Sequence, residues 1–261
     1  MTVGAHNRPQ PVEQSDRVAG FVDVETTGLD PSSDEVVELA LALVAYDPQT
    51  GNIVRILEEY VGLRDPGVPI PVEASRLHGI RSSDVRGRML DDDRVRSMLE
   101  RADFLVAHNA EFDKAFLSKL YPEVLRKRWV CSMRSIPWKQ MGYRSRSLHS
   151  LLDAHRIRVR RAHRGLDDVR ALVALLSCSH GNGQSYFSIL ARKASTRTRR
   201  PPSRRPERAT IASVAPSPRE RRETVRPDHL LPGPQPAGGL WQLLQSLFTP
   251  WLWPGGPQGR R

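Results

Sequence analysis

The chain has 261 residues, with 40 Lys and Arg against 29 Asp and Glu, and only two cysteines. That length suits one folded domain of about 180 residues plus an appendage, large enough to bury roughly 70% of its unfolded surface without staples. Cys131 and Cys178 form no CxxC or Cys/His cluster, which argues against zinc and a disulfide framework, and no apolar run is long enough to span a membrane.

In chain order, residues 1–16 are read as a flexible N-terminus with no basic-then-apolar leader, so the expected location is cytoplasmic. Residues 17–180 are read as the folded domain. Residues 18–25 are a short apolar run ending at Thr26-Thr27-Gly28, a central strand followed by a turn. VVELALALVAY at 36–46 alternates, and 52–61 follows a PQTG turn; the three runs together predict an antiparallel meander. Residues 72–77 and 91–101 are read as helices, the second with an acidic first turn that suits the helix dipole. DFLVAH at 103–108 is a buried strand leading into a helix over 111–120, where Phe112, Phe116, Leu117 and Leu120 recur at helical spacing. A short strand near 129–132 and helices near 147–154 and 165–176 complete the domain. A meander followed by alternating elements implies an α/β class, a mixed sheet with helices on its faces.

The excess positive charge lies in the tail. Through residue 180 the chain carries 26 basic and 25 acidic side chains; beyond it there are 14 and 4. Residues 181–238 are read as an Arg/Pro-rich disordered tail, because such composition cannot bury enough apolar surface to offset chain entropy. Residues 239–254 are apolar and aromatic and are read as a docking motif. There Leu247-Phe248 resembles the end of the sliding-clamp peptide QLxLF, with Leu244 where that peptide has Gln. The partner would be a DNA polymerase or its clamp; an interfacial membrane helix and packing back on the domain are the alternatives.

Four acids stand in apolar sequence: Asp23, Glu25, Asp113 and Asp168. An unpaired carboxylate is costly to bury there, and several together repel one another unless a cation lies among them. Asp23 and Glu25, two apart on a strand, point to the same face. Asp113 and Asp168 each fall in the first turn of a helix, so one strand end and two helix starts can bring all four together. Hard oxygen ligands of this kind suit two divalent cations, Mg²⁺ or Mn²⁺, that hold a phosphodiester and activate a water. His163, five residues before Asp168, is the candidate general base. Beside it Arg156, Arg158, Arg160, Arg161 and Arg164 could steer phosphate backbones or simply form a solvated loop.

These segments resemble a known family. Asp23-x-Glu25 before Thr26–Gly28, then His108-Asn109-Ala110-x-Phe112-Asp113, then His163 with Asp168, are similar to the three motifs of the DEDDh 3′–5′ exonucleases. That family includes the epsilon proofreading subunit of bacterial DNA polymerase III, oligoribonuclease and the Trex enzymes. RLHGI also resembles it, with His78 where members contact the terminal nucleotide. The resemblance covers roughly residues 17–180. It implies an RNase H-like fold and two-metal release of 5′-mononucleotides from 3′ ends. It further implies a nucleotide pocket lined by the Thr26 backbone and the side chains of His78, Asn109 and Phe112. The expected substrate is a single-stranded or frayed DNA 3′ end, in proofreading or repair. An RNA-trimming enzyme and a polymerase or clamp accessory module are the alternatives.

Overall fold

The computed structural model describes residues 17–159, 163–181 and 183–195. Its first elements are β1 (Arg17–Thr26), β2 (Val36–Tyr46), β3 (Ile53–Leu63), α1 (Val72–His78), α2 (Ser82–Val85) and α3 (Asp92–Arg101). Then come β4 (Phe104–Ala107), α4 (Ala110–Leu120), a 3₁₀ turn (Pro122–Leu125), β5 (Trp129–Cys131) and α5 (Ser132–Ser135). The chain continues through α6 (Leu148–Ala154), α7 (Gly165–Ser177), the short pair β6 (Ser179–His180) and β7 (Gln184–Ser185), and α8 (Tyr186–Ser195).

Five strands form one sheet in the order β3-β2-β1-β4-β5. The first three are antiparallel, the expected meander, while β1, β4 and β5 run parallel. Helices cover both faces, giving the mixed RNase H-like sheet that the motifs imply. The division of faces follows from the two-residue period of a strand. Val18, Val22, Leu39, Leu41 and Leu43 pack with α3 and α4, whereas Ala19, Phe21, Ala40, Ala42 and Val44 pack with α6, α7 and α8. Every residue of β2 is buried, so this central strand is apolar along nearly its whole length. The alanines on one of its faces leave room for α7 to lie close to the sheet.

The domain does not end at residue 180. β7 and α8 continue it, with Tyr186, Phe187 and Leu190 buried. Phe187 stacks on Phe21 at 5.8 Å and Phe104 at 6.1 Å, and meets Tyr46 edge-on at 5.4 Å. YFSILARKAS has its apolar residues at helical spacing, but the polar composition of the longer stretch masks them. The single-turn helices α2 and α5 were likewise unmarked by any periodicity. The expectations for 1–16, for Arg160 and Arg161, and for 196–261, including the docking segment 239–254, lie outside the described residues. No helix among the described residues is long and apolar enough to cross a membrane.

Candidate active site

Asp23 and Glu25 continue the parity of Ala19 and Phe21, so both face α7 at the end of β1. The ladder with β2 slips between Glu25 and Thr26, a bulge that ends regular pairing beside the carboxylates. From α7, Asp168 meets them: one ligand oxygen from each of Asp23, Glu25 and Asp168 lies within 4.8 Å of the others. Asp113 comes from α4, on the other face of the sheet. It stands outside that triplet, yet its charge raises the pKa of both Asp23 and Glu25.

The electrostatics are those of acids crowded without a counterion. Burial is the largest cause in all four, and mutual repulsion adds to it at Asp23 and Glu25, which are pushed well above the ordinary carboxyl range. Asp113 and Asp168 are raised to about 7. Asp168 Oδ2 accepts the His163 backbone N–H at 3.1 Å, while its Oδ1 is buried with no hydrogen-bond partner. An orphaned buried oxygen among repelling carboxylates is the environment a divalent cation relieves.

A residue that sequence reasoning passed over brings α7 into place. Glu38 on β2 is 1% exposed and lies directly opposite Glu25 in the ladder. Like charges so placed repel. Glu38 is compensated by Arg164, whose Nη2 donates at 2.8 Å, and by the Gly165 backbone N–H at 2.8 Å. Arg164, the N-cap residue of α7, makes no side-chain cap, so the carboxylate from β2 caps that helix instead. Arg164 is therefore held in an ion pair and is not a solvated member of the basic loop. The signal in the sequence was a lone Glu inside VVELALALVAY, a strand otherwise without charge.

Gly165 permits the close approach. A Cβ there would lie 2.9 Å from Ala40 Cβ, 3.3 Å from Glu38 Oε1 and 3.4 Å from Asp23 Oδ2. Gly165→Ala is expected to destabilise the fold by about 1–3 kcal/mol, the usual cost of overpacking, and to lower activity by displacing Asp168. Thermal melting and initial rates measured on the same preparation check both effects.

His163 adopts φ 60°, a left-handed conformation uncommon outside glycine, at the turn into α7. Its ring stacks on His149 at 4.8 Å. Burial, then the neighbouring His149 and His78, lower its pKa to about 4, so the imidazole is neutral at pH 7. His78 is 3% exposed; its Nδ1 accepts the Ile80 N–H at 3.0 Å, which puts the ring proton on Nε2. That Nε2 is buried and directed at the Thr26 backbone, without a hydrogen bond of ordinary geometry. The turn after Thr26 is tied back by Thr27 N–H to the Glu35 carbonyl at 2.8 Å. A Cβ at Gly28 would fall 2.4 Å from the Asp34 carboxylate and force it off the Asp30 N–H.

Asn109 is the N-cap residue of α4, and Phe112 packs on Phe116 with centroids 4.8 Å apart. Among the described residues no hydrogen bond or ring contact joins either of them to Thr26 or His78. His108 serves as a brace. Its Nε2–H donates to the Arg146 carbonyl at 2.9 Å, which leaves Nδ1 to accept from the Ser132 hydroxyl at 2.9 Å.

The RNase_T family, described as Exonuclease, matches residues 21–176, a span that holds the sheet except the first four residues of β1, and all the acids above. The chain belongs to the RNase_T exonuclease family. The expected kinship with DEDD-type exonucleases stands on that match, and a nuclease fold is what the chain provides. "DNA polymerase III PolC-type" of Thermotoga petrophila is 30% identical over 154 residues, covering 57% of this chain and 11% of that protein. The protein of the same name from Listeria innocua is 29% identical over 159 residues, covering 59% and 10%. The chain thus spans about a tenth of the length of the curated relatives it matches. Among solved structures, E. coli exonuclease I in complex with a dT13 oligonucleotide aligns with a TM-score of 0.50 at 18% identity. That alignment covers 62% of this chain and 40% of the other, and it bears on the RNase_T fold alone.

Proposed function

We propose that this RNase_T domain is a 3′–5′ exonuclease that releases 5′-mononucleotides from single-stranded or frayed DNA 3′ ends. The observation that carries the reading is the meeting of Asp23, Glu25 and Asp168 within 4.8 Å, with a neutral His163 at the start of the same helix as Asp168. Asp23, Glu25 and Asp168, with Asp113 beside them, would hold two divalent cations, Mg²⁺ or Mn²⁺, which when bound supply Lewis-acid stabilisation of the phosphodiester.

The chain's own groups do the rest. His163 accepts the proton of the attacking water as the new P–O bond forms. The bond from phosphorus to the 3′ oxygen of the penultimate nucleotide breaks, and that oxygen leaves as a hydroxyl after taking a proton from solvent. The terminal nucleotide departs with its 5′-phosphate. The Nε2–H of His78 would offer a hydrogen bond to its sugar or phosphate, and the Thr26 backbone, Asn109 and Phe112 would line the space around it. The PolC-type relatives favour a role in proofreading, with a polymerase or clamp met through 239–254, and a cytoplasmic setting.

Matched 3′- and 5′-labelled DNA and RNA oligomers, with Mg²⁺, Mn²⁺ or EDTA, test polarity, sugar preference and metal dependence together. The expected products are mononucleotides from the 3′ end, and none in EDTA. Internal cuts, or cleavage in EDTA, would overturn the reading. His163→Ala is expected to cost about 10²–10⁴-fold in rate, the usual contribution of a general base.

A further inference from the structure

The near-neutral charge of the folded domain conceals two opposite halves. Residues 17–125 carry 12 basic and 20 acidic side chains, whereas 126–164 carry 12 basic and a single acid, Asp153. The fold gathers part of that basic stretch into a built feature. A pocket of about 310 Å³ is lined by Arg134, Lys139 and Arg146 around Met133, Pro137 and Trp138, with no acid among its lining residues. All three cations are exposed, and among the described residues none is ion-paired. Arginines elsewhere, such as Arg17, Arg94, Arg101 and Arg170, have carboxylate partners. A cluster of like charges left without counterions raises a local positive potential that draws anions.

The pocket is braced by hydrogen bonds and tied through His108 to the segment that leads into α4. Its floor is fixed by Trp138 Nε1–H donating to the Ser132 carbonyl at 2.9 Å. The loop carrying Lys139 closes on itself, with Met141 and Tyr143 N–H to the Trp138 carbonyl at 3.1 and 3.0 Å and Gly142 at φ 93°. His108, which opens the segment leading to Asn109 and Asp113, holds the Arg146 carbonyl, and the Met133 N–H returns to the His108 carbonyl at 3.3 Å. β1, β4 and β5 are parallel, so the ends that carry Glu25, His108 and Ser132 lie side by side. Arg134, just after β5, is therefore two strands out from the carboxylates of β1, at the same end of the sheet.

We propose that the pocket lined by Arg134, Lys139 and Arg146 binds the phosphate backbone of a single-stranded nucleic acid, upstream of the 3′ end held at the carboxylates. This rests on the exonuclease reading for its orientation. Three cations presented from ordered backbone at the same end of the sheet match a polyanion with regularly spaced charges. DNA and RNA share that chemistry, and a continuous strand would cross from the carboxylates to the pocket.

The test uses the full chain carrying Asp23→Asn, so that probes survive, with 5′-fluorescent oligothymidylate and oligouridylate followed by anisotropy. Affinity is measured between about 50 and 200 mM salt. Each phosphate contact to a single strand contributes about 0.7 to the log–log salt slope, so adding Arg134→Ala, Lys139→Ala and Arg146→Ala should lower the slope by about 2. Affinity at low salt should fall at least about tenfold. Arg134→Lys with Arg146→Lys should keep the slope, and Lys139→Glu alone on its exposed turn should weaken binding, which guards against a misfolded alanine variant. An unchanged slope and affinity in variants that melt like the parent would overturn the proposal. So would polyglutamate of similar length binding as tightly as the oligonucleotides. The parent chain's hydrolysis of a dinucleotide, too short to reach the pocket, is scored separately. Its absence counts against the exonuclease reading, whereas hydrolysis together with an unchanged salt slope removes the pocket alone.

Discussion

Asp23→Asn is expected to abolish hydrolysis, by at least about 10²–10³-fold, while making the metal-free protein more stable. Asp23 is the acid on which the repulsion converges: Glu25, Asp113, Asp168 and Glu38 all raise its pKa, on top of burial. An amide of the same shape removes that repulsion and the desolvation penalty of the charge. Replacing a buried charged group often stabilises by about 1–4 kcal/mol. For a domain of this size each kcal/mol moves the melting temperature by about 2–4 °C.

The stability difference has a pH signature. A carboxyl whose folded pKa is raised contributes stability that is present below its unfolded pKa and is lost as pH rises through the folded value. Asp113 and Asp168, raised to about 7, set that window from about pH 4 to about 7. The gap in melting temperature between Asp23→Asn and the parent, both in EDTA, should therefore widen from pH 5 to pH 8. Mg²⁺ or Mn²⁺ should narrow it at pH 8 by stabilising the parent. Equal melting temperatures at both pH values would show that the acids do not repel as described.

Arg164→Ala is expected to be the most destabilising of the surface-reaching substitutions. Arg164 keeps about a third of its side chain exposed, but its partner Glu38 is only 1% exposed. Removing Arg164 leaves that carboxylate with the Gly165 N–H alone, opposite Glu25. Breaking a buried pair in this way costs about 3–5 kcal/mol, because a charge is left uncompensated. The second change Glu38→Gln should recover most of the loss, since the amide oxygen still accepts from Gly165 and no charge remains. A double-mutant cycle by thermal or urea unfolding isolates the coupling. A loss below about 1 kcal/mol for Arg164→Ala would mean the pair behaves as an exposed one.

The expectations that correspond to elements in the structure rested on local signals. The alternation of 36–46, the apolar spacing of 111–120 and the acidic first turn of 91–101 are patterns of two to four residues, and backbone geometry converts them directly into strand and helix. The order of Asp23, Glu25, Asp113, His163 and Asp168 was legible for the same reason, since each lies in a short motif. What stayed hidden depended on partners far away in sequence. Glu38 is 126 positions from Arg164, so nothing near it announced an ion pair at the helix start. Phe187 was absorbed into a polar stretch, although its rings of contact, Phe21 and Phe104, lie in the first and fourth strands.

The sequence by itself determined the α/β class, the meander and the chemical identity of the acids and the histidine. Only the tertiary structure decided how those groups stand: three acids in one cluster with Asp113 beside it, and a buried glutamate capping the helix that carries Asp168. It also decided that the cations of 126–164 divide, Arg164 inward to Glu38 and Arg134, Lys139 and Arg146 outward around one pocket. The division has one physical cause. Period and propensity act over a few residues, whereas desolvation, repulsion and charge pairing depend on which distant groups the folded chain brings together.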